Sequence, residues 1–400
     1  MKRVYISVIL LLFLSSLQGQ SGYDLVLRAK ALCERGEPGS AIELLTASTG
    51  SASDSRFLVL SGEAYILEGD YPGAIDAFTR ANKITMHSGD YGLARVYSLK
   101  GIAATSLYHL GQSMESSFRK SEKEILTDPA FGRIEQSAEW RLFWKKEWYS
   151  PVVRKISELE YYVKAGIMGE AQNIAASLGN EYPGSQDAIY ASALVNKLKG
   201  KTAEAVRILT GLNESEPGNA IYLRALADAK SEASNPAGAS ESYTRLIEME
   251  IPDAGLFLLR ADCFMRTGEY VKALSDIRRY LDYYPGNLNA LRMAGKAESA
   301  SGNNLKALEY FSENLRLHPG DPDCYADRGN SYFLSKSWQW AINDYSMSLD
   351  LDPGDSEVWL SKGISLLNSG KTEDACHDFR RAFALGNKRA TEYISRYCIK

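Results

Sequence analysis

The chain has 400 residues, 45% hydrophobic and 24% charged, with 46 basic against 50 acidic side chains and a formal net charge of −4. That apolar share suffices for a folded core, and so small a charge excess leaves no electrostatic footprint for nucleic acid or an anionic membrane surface. The length suits two or three globular domains, unless an internal repeat makes it one elongated body.

Residues 1–20 have the pattern of a secretory signal peptide. Lys2 and Arg3 are followed by an apolar run, Val4 to Leu14, broken only by Ser7, and then by small and polar residues to Gly22. The run is too short for an ordinary span, and an uncleaved anchor is the alternative. No cysteine lies beside the cleavage region, so no lipid anchor is expected. Export is therefore expected, to the periplasm or cell envelope or out of the cell, with no membrane span after cleavage.

Residues 21–129 suggest about three helix pairs. Leu25 to Ser48 carries Gly36 and Ala41, and Ser55 to Thr85 carries Gly62, Tyr65, Gly69, Tyr71, Ala74, Phe78 and Ala81. The third pair, Tyr97 to Pro129, is degenerate. Its expected turn is Gly111, Ser116 stands where alanine belongs, and its second helix, Ser113 to Leu126, is charged as a solvated face.

Residues 130–151 break the period. Phe131 to Tyr149 is expected to form one helix, because Trp140, Trp144 and Trp148 stand four apart with Phe143 beside them. Such a stripe either seals a junction as core or offers an aromatic surface for a partner or a second copy.

Seven units of 34 residues follow over residues 152–386. Alanine recurs at Ala171, Ala205, Ala239, Ala273, Ala307, Ala341 and Ala375. In six of the seven units small residues recur in the first helix (Ala193, Ala227, Ala261, Gly295, Gly329, Gly363) and large ones in the second (Leu209, Tyr243, Ile277, Phe311, Tyr345, Phe379). Gly166, Gly200, Gly268, Gly302 and Gly370 mark the turn, and Pro183, Pro217, Pro285, Pro319 and Pro353 stop the second helix. Small residues let the two helices cross closely, and the large one fills the wedge beside them. Residues 387–400 form a basic amphipathic helix that caps the array.

The small residue, turn glycine, alanine, aromatic and proline in a 34-residue frame resemble the tetratricopeptide repeat family. Asp70-Tyr71-x-x-Ala74-x-x-x-Phe78-x-x-Ala81 is an especially close match. The resemblance implies an all-α fold, an α-solenoid of tandem helix-turn-helix repeats in a right-handed superhelix. Its binding site would be the concave groove lined by first helices. Arg224, Asp228, Asp262, Arg266, Arg292, Lys296, Asn330 and Phe333 lie on the faces turned from the second helices and are the candidates there. The Gly329-Asn330 pair resembles part of a carboxylate clamp. Ala326 replaces its lysine, and Glu357 and Ser361 replace its basic pair, so recognition of a chaperone tail is not expected.

Catalytic chemistry is not expected. The histidines His87, His109, His318 and His377 are not spaced as ligands on one helix face. No phosphate loop, nucleophile elbow or HExxH occurs. No metal or cofactor is implied. Five scattered cysteines argue against a disulfide framework, although one bridge between neighbours stays open. Asn213-Glu214-Ser215 fits a glycosylation acceptor. The expected function is a non-enzymatic scaffold or adaptor that binds a protein or peptide segment in the groove. The alternative is a cell-envelope component that self-associates through the stripe Trp140, Phe143, Trp144 and Trp148.

Overall fold

The structure, a computed structural model, describes residues 22–48 and 54–398. The signal-peptide reading of residues 1–20 lies outside the described residues. Among those described, the fold is all-α: 23 α-helices, one 3-10 turn and no strand. No described helix is long and apolar enough to cross a membrane.

The first helices of successive units are α1 (Gly22–Glu34), α3 (Ser55–Glu68), α5 (Asp90–Leu99), α9 (Pro151–Lys164), α11 (Gln186–Leu198), α13 (Ala220–Glu232), α15 (Gly255–Arg266), α17 (Leu288–Ala300), α19 (Pro322–Leu334) and α21 (Ser356–Asn368). Their partners are α2 (Pro38–Ala47), α4 (Tyr71–Ile84), α6 (Ala103–Met114), α10 (Met168–Glu181), α12 (Thr202–Ser215), α14 (Pro236–Glu248), α16 (Tyr270–Tyr283), α18 (Asn304–Leu317), α20 (Trp338–Leu351) and α22 (Thr372–Ala384). Between α6 and α9 lie α7 (Glu122–Leu126), the 3-10 turn Pro129–Phe131 and α8 (Ala138–Phe143), and α23 (Ala390–Tyr397) ends the chain.

The repeating unit follows from its residues. Ser185, Asn287, Asp321 and Asp355 each accept a first-turn N–H of the helix that follows. That satisfies donors with no partner inside the helix. Each first helix ends in a left-handed residue, and the next N–H bonds back to a carbonyl five residues earlier. Lys201 to Asn196, Glu269 to Phe264, Asn303 to Glu298 and Lys371 to Leu366 show this bond at 2.7–2.9 Å. Glycine holds that left-handed place at 166, 200, 268, 302 and 370, but Ser234 (φ 58°) and Lys336 (φ 57°) hold it in the other two units.

The seven period-setting alanines are all 0% exposed. Opposite them, a methyl added at Gly329 would lie 2.8 Å from the Tyr345 ring, and at Gly363 2.6 Å from Phe379. Phe78 is gripped from both sides, since methyls at Gly62 and Gly92 would come within 2.6 and 2.2 Å of it. Sequence reasoning missed a second tie within the unit. Arg260 meets Asp276 and Arg328 meets Asp344 at 2.7 Å, and Lys362 meets Asp378 at 3.4 Å, all sixteen residues apart with nearly enclosed carboxylates. The unit with Leu226 has Ser242, and the unit with Ala294 has Tyr310, so base and acid are present or absent together. That pairing is the signal in the sequence.

The chain divides into two compact units. One runs up to Ala229 and includes Met249–Asp253, and the other comprises Lys230–Glu248 and Ala254–Lys400. In the first, the Ile251 and Pro252 carbonyls accept from Tyr23 Oη and Lys30 Nζ, both at 2.9 Å, and Arg56 pairs with Glu250 at 2.7 Å.

Two local expectations are corrected. The third pair is α5 and α6, and its turn is Gly101 (φ 75°), not Gly111, which lies inside α6. Phe131 to Tyr149 is not one helix. Only Ala138–Phe143 is helical, with Ser137 accepting from the Trp140 N–H, and the chain leaves the helix at Trp144. Four-residue spacing fits a helix, but here the rings pack in a cluster fed by several short segments, and that tertiary contact overrides the local pattern.

Candidate functional site

The candidate groove residues all lie on first helices: Arg224 and Asp228 on α13, Asp262 and Arg266 on α15, Arg292 and Lys296 on α17, and Asn330 and Phe333 on α19. In the first compact unit, Arg224 pairs with Asp228 at 3.3 Å and with Asp253 at 3.0 Å. In the second, Arg266 pairs with Asp262 at 3.6 Å and donates to Ser231 Oγ at 2.7 Å. Arg292 reaches Asp327 at 2.6 Å and Asp323 at 2.7 Å, and Lys296 reaches Asp327 at 3.2 Å. Burial works against the Arg292 charge, but its bonds to Asp327 and Asp323 outweigh that and raise its pKa. Asn330 accepts from Tyr345 Oη at 2.7 Å, and Phe333 packs edge-on against Trp338, ring centroids 5.1 Å apart.

Arg292 and Lys296 are thus answered by acids one repeat on, whereas Arg224 and Arg266 also pair within their own helices.

A cavity of about 760 Å³ lies elsewhere, against α3, α5 and residues 117–128. Sequence reasoning missed it. Arg95 stands at its wall between Glu63 and Asp128, 2.9 Å from the latter, and Tyr91 Oη donates to Asp128 at 2.8 Å. Burial, then that bond, pushes the Tyr91 phenol far above its usual range. Lys120 Nζ lies 5.8 Å from the Tyr91 ring centre, and the buried Ser88 Oγ has no hydrogen-bond partner. No motif announces this site, because half of its wall comes from the non-repeating segment.

The aromatic residues expected as a stripe form a core cluster with Leu110, Met114, Ile125 and Phe131. Trp140 is 7% and Trp148 9% exposed, while Phe143 and Trp144 are half-buried. Phe143 stacks on Trp148 at 4.6 Å, and Trp148 Nε1 donates to the Phe143 carbonyl at 2.9 Å. The rings are spent on packing α6 to α8, which leaves little of them to offer a second copy.

The titratable groups outside these faces also have structural partners. Asp90, 4% exposed, accepts from His87 and His109 Nδ1 at 2.8 Å and from Asn82 at 2.9 Å. Burial raises its pKa, yet these bonds more than offset it and the net shift is downward. Cys376 is joined to Cys398 in a disulfide, which settles the open question of a single bridge. Asn213 is 7% exposed inside α12, so its amide is closed to glycosylation in the folded chain. Among the described residues no cluster of three or more acidic, histidine or cysteine side chains could hold a metal ion.

A family model described as "Tetratricopeptide repeat" matches residues 26–88 and 224–287. No curated protein matches the chain. Solved structures similar to it include a tetratricopeptide repeat protein from Parabacteroides merdae (19% identity, 62% of this chain and 99% of that one, TM-score 0.49). The Cut9–Hcn1 hetero-tetramer of APC/C is similar at 14% identity (93% and 89% coverage, TM-score 0.48). A third is YrrB, titled a TPR protein with an unusual peptide-binding site (16% identity, 47% and 97% coverage, TM-score 0.39). The two matched segments resemble tetratricopeptide repeats, and the described residues around them form an all-α array of helix pairs.

Proposed function

We propose that the protein is a non-enzymatic scaffold in an exported compartment, and that it holds a protein or peptide segment along the face made by its first helices. The observation that carries this reading is the charge ladder from α17 to α19. Arg292, Lys296, Asp323 and Asp327 are partly open to solvent and paired across a repeat boundary, with Asp323 62% exposed. An incoming chain of alternating charge can take over such pairs one by one, with charge-assisted hydrogen bonds setting its register. The disulfide supports export, because such bonds persist in oxidising compartments.

The test is affinity capture from the envelope of the source cell with wild type, followed by binding measurements on the captured partner. Arg292→Glu together with Lys296→Glu should weaken that binding at least tenfold, with the helical signal unchanged. Undiminished binding by the double variant would remove the groove from the reading. Export is checked by fractionation and by the N-terminal sequence of the mature protein, which should begin near residue 20.

A further inference from the structure

The terminal helix α23 is eight residues long and encloses only Ala390, with Thr391, Glu392, Ser395 and Arg396 exposed. A helix this short does not hold itself together in water. Its apolar seat is small: Ala390 is 0% exposed, and Tyr393 and Ile394 pack half-buried against the cluster of Leu360, Leu366 and Phe379. Tyr393 stacks on Phe379 at 4.9 Å, Asn387 donates to the Ser356 carbonyl at 3.3 Å, and Arg389 meets Glu357 at 3.1 Å. That ion pair is 69% and 61% exposed, so solvent screens it. The remaining tie is covalent. Cys376 on α22 and Cys398 just past α23 are disulfide-bonded, with Cα atoms 5.5 Å apart. Both cysteines line an open cleft of about 650 Å³ beside Lys371, Glu373, Arg380 and Tyr397. Cys263 and Cys324 are buried on other helices, and burial pushes the Cys324 thiol up to about 12, so they do not compete for exchange.

We propose that this disulfide is a redox lock on the C-terminal cap, open in the reduced chain and closed once the chain meets an oxidising compartment. Closure is thiol–disulfide exchange with a disulfide-bearing oxidant. The Cys376 and Cys398 thiols lose two protons and two electrons as their Sγ–Sγ bond forms, and the oxidant's disulfide breaks to two thiols. A dithiol reductant drives the reverse. In the open state α23 is held only by a small apolar seat under Ala390, Tyr393 and Ile394 and by a few polar ties. It lifts and uncovers the face of Phe379, which is 0% exposed in the closed form. The lock is independent of which segment the groove binds.

The test is limited trypsin digestion of the purified full chain, with and without dithiothreitol, together with alkylation mapping of the cysteines. Without reductant, Cys376 and Cys398 should escape alkylation, and cleavage after Lys388, Arg389 and Arg396 should be slow. With reductant both should label, and those cleavages should quicken at least tenfold while cuts in earlier repeats do not. The variant Cys376→Ser with Cys398→Ser should cleave at the fast rate under either condition. Equal cleavage rates of wild type with and without reductant would overturn the proposal, as would free thiols at both positions in protein isolated under oxidising conditions. The wild-type comparison needs no mutation, so a folding defect in the variant does not blunt it.

Discussion

The regular run from α9 to α22 and the break between α6 and α9 both depend on aromatic side chains, but in opposite ways. In the last three units of the run, one ring meets one glycine in its own unit at a 34-residue period: Gly295 with Phe311, Gly329 with Tyr345 and Gly363 with Phe379. In the break, rings meet rings: Phe131 with Trp140 at 5.4 Å, Trp140 with Trp144 at 5.8 Å, Phe143 with Trp148 at 4.6 Å. Backbone there is tied by side chains where no helical ladder exists. Tyr149 Oη donates to the Lys120 carbonyl, and Arg119 donates to the carbonyls of Met114 and Trp148. The run spreads its stability over many small identical contacts, and the break concentrates it in one cluster. Substitutions should therefore cost differently in the two regions.

The largest single effect is expected in the break. Trp140→Ala removes an enclosed indole that contacts both Phe131 and Trp144. The loss should be about 3–5 kcal/mol, by denaturant unfolding followed through the tryptophan fluorescence. A loss under about 1 kcal/mol would mean that the cluster is not the keystone described here.

In the run the costly substitution is electrostatic. Asp344→Ala leaves the half-buried Arg328 guanidinium without its carboxylate, at a cost of up to about 3 kcal/mol. Arg328→Met with Asp344→Leu should recover most of that, because an apolar pair avoids the desolvation of both charges. Chemical denaturation of the three proteins closes the cycle.

The glycines give the sharpest contrast, since one substitution changes sign between the regions. Gly329→Ala drives a methyl to 2.8 Å from the Tyr345 ring and should cost about 1–3 kcal/mol. Gly111→Ala, inside α6, meets nothing closer than Trp148 at 3.7 Å and should gain up to about 1 kcal/mol from helix propensity. If both variants lose stability in thermal melts, the break is as tightly packed against its helix as the run, and the contrast fails.

The same difference explains what the sequence revealed. A job done seven times leaves seven alanines in register, so the helix pairs, their turns and the enclosed face were legible from spacing alone. A job done once leaves no register. The Gly101 turn lies 32 residues after Gly69 and the expected Gly111 lies 42 after it, so the period itself favours Gly101, while the tryptophan spacing suggests a helix that the cluster does not allow. The cavity beside Arg95 was hidden for the same reason, since Asp128 and Lys120 reach it only through the irregular segment. Of the candidate groove residues, spacing gave the face but not the pairing. Asp323 and Asp327, which answer Arg292 one repeat later, would have emerged from asking which opposite charge recurs 31 and 35 residues on.

The smallest effect tests whether the run is as uniform as its period. Lys336 occupies the left-handed turn position that glycine fills in five of the seven units, at φ 57°, and its N–H bonds to the Phe333 carbonyl at 2.9 Å. A side chain in that conformation costs about 1–2 kcal/mol, and glycine's greater freedom in the unfolded chain returns about 0.5–1 kcal/mol of that difference. Lys336→Gly should therefore stabilise the protein by about 0.5 kcal/mol, a rise of a degree or so in Tm. Ser234→Gly, at the same place in another unit, should add a similar amount, and two sites so far apart should add independently. A neutral or destabilising result at both positions would mean that the surrounding turn, and not the residue, sets the backbone there, so that the repeating glycine would owe its place to something other than its conformational freedom.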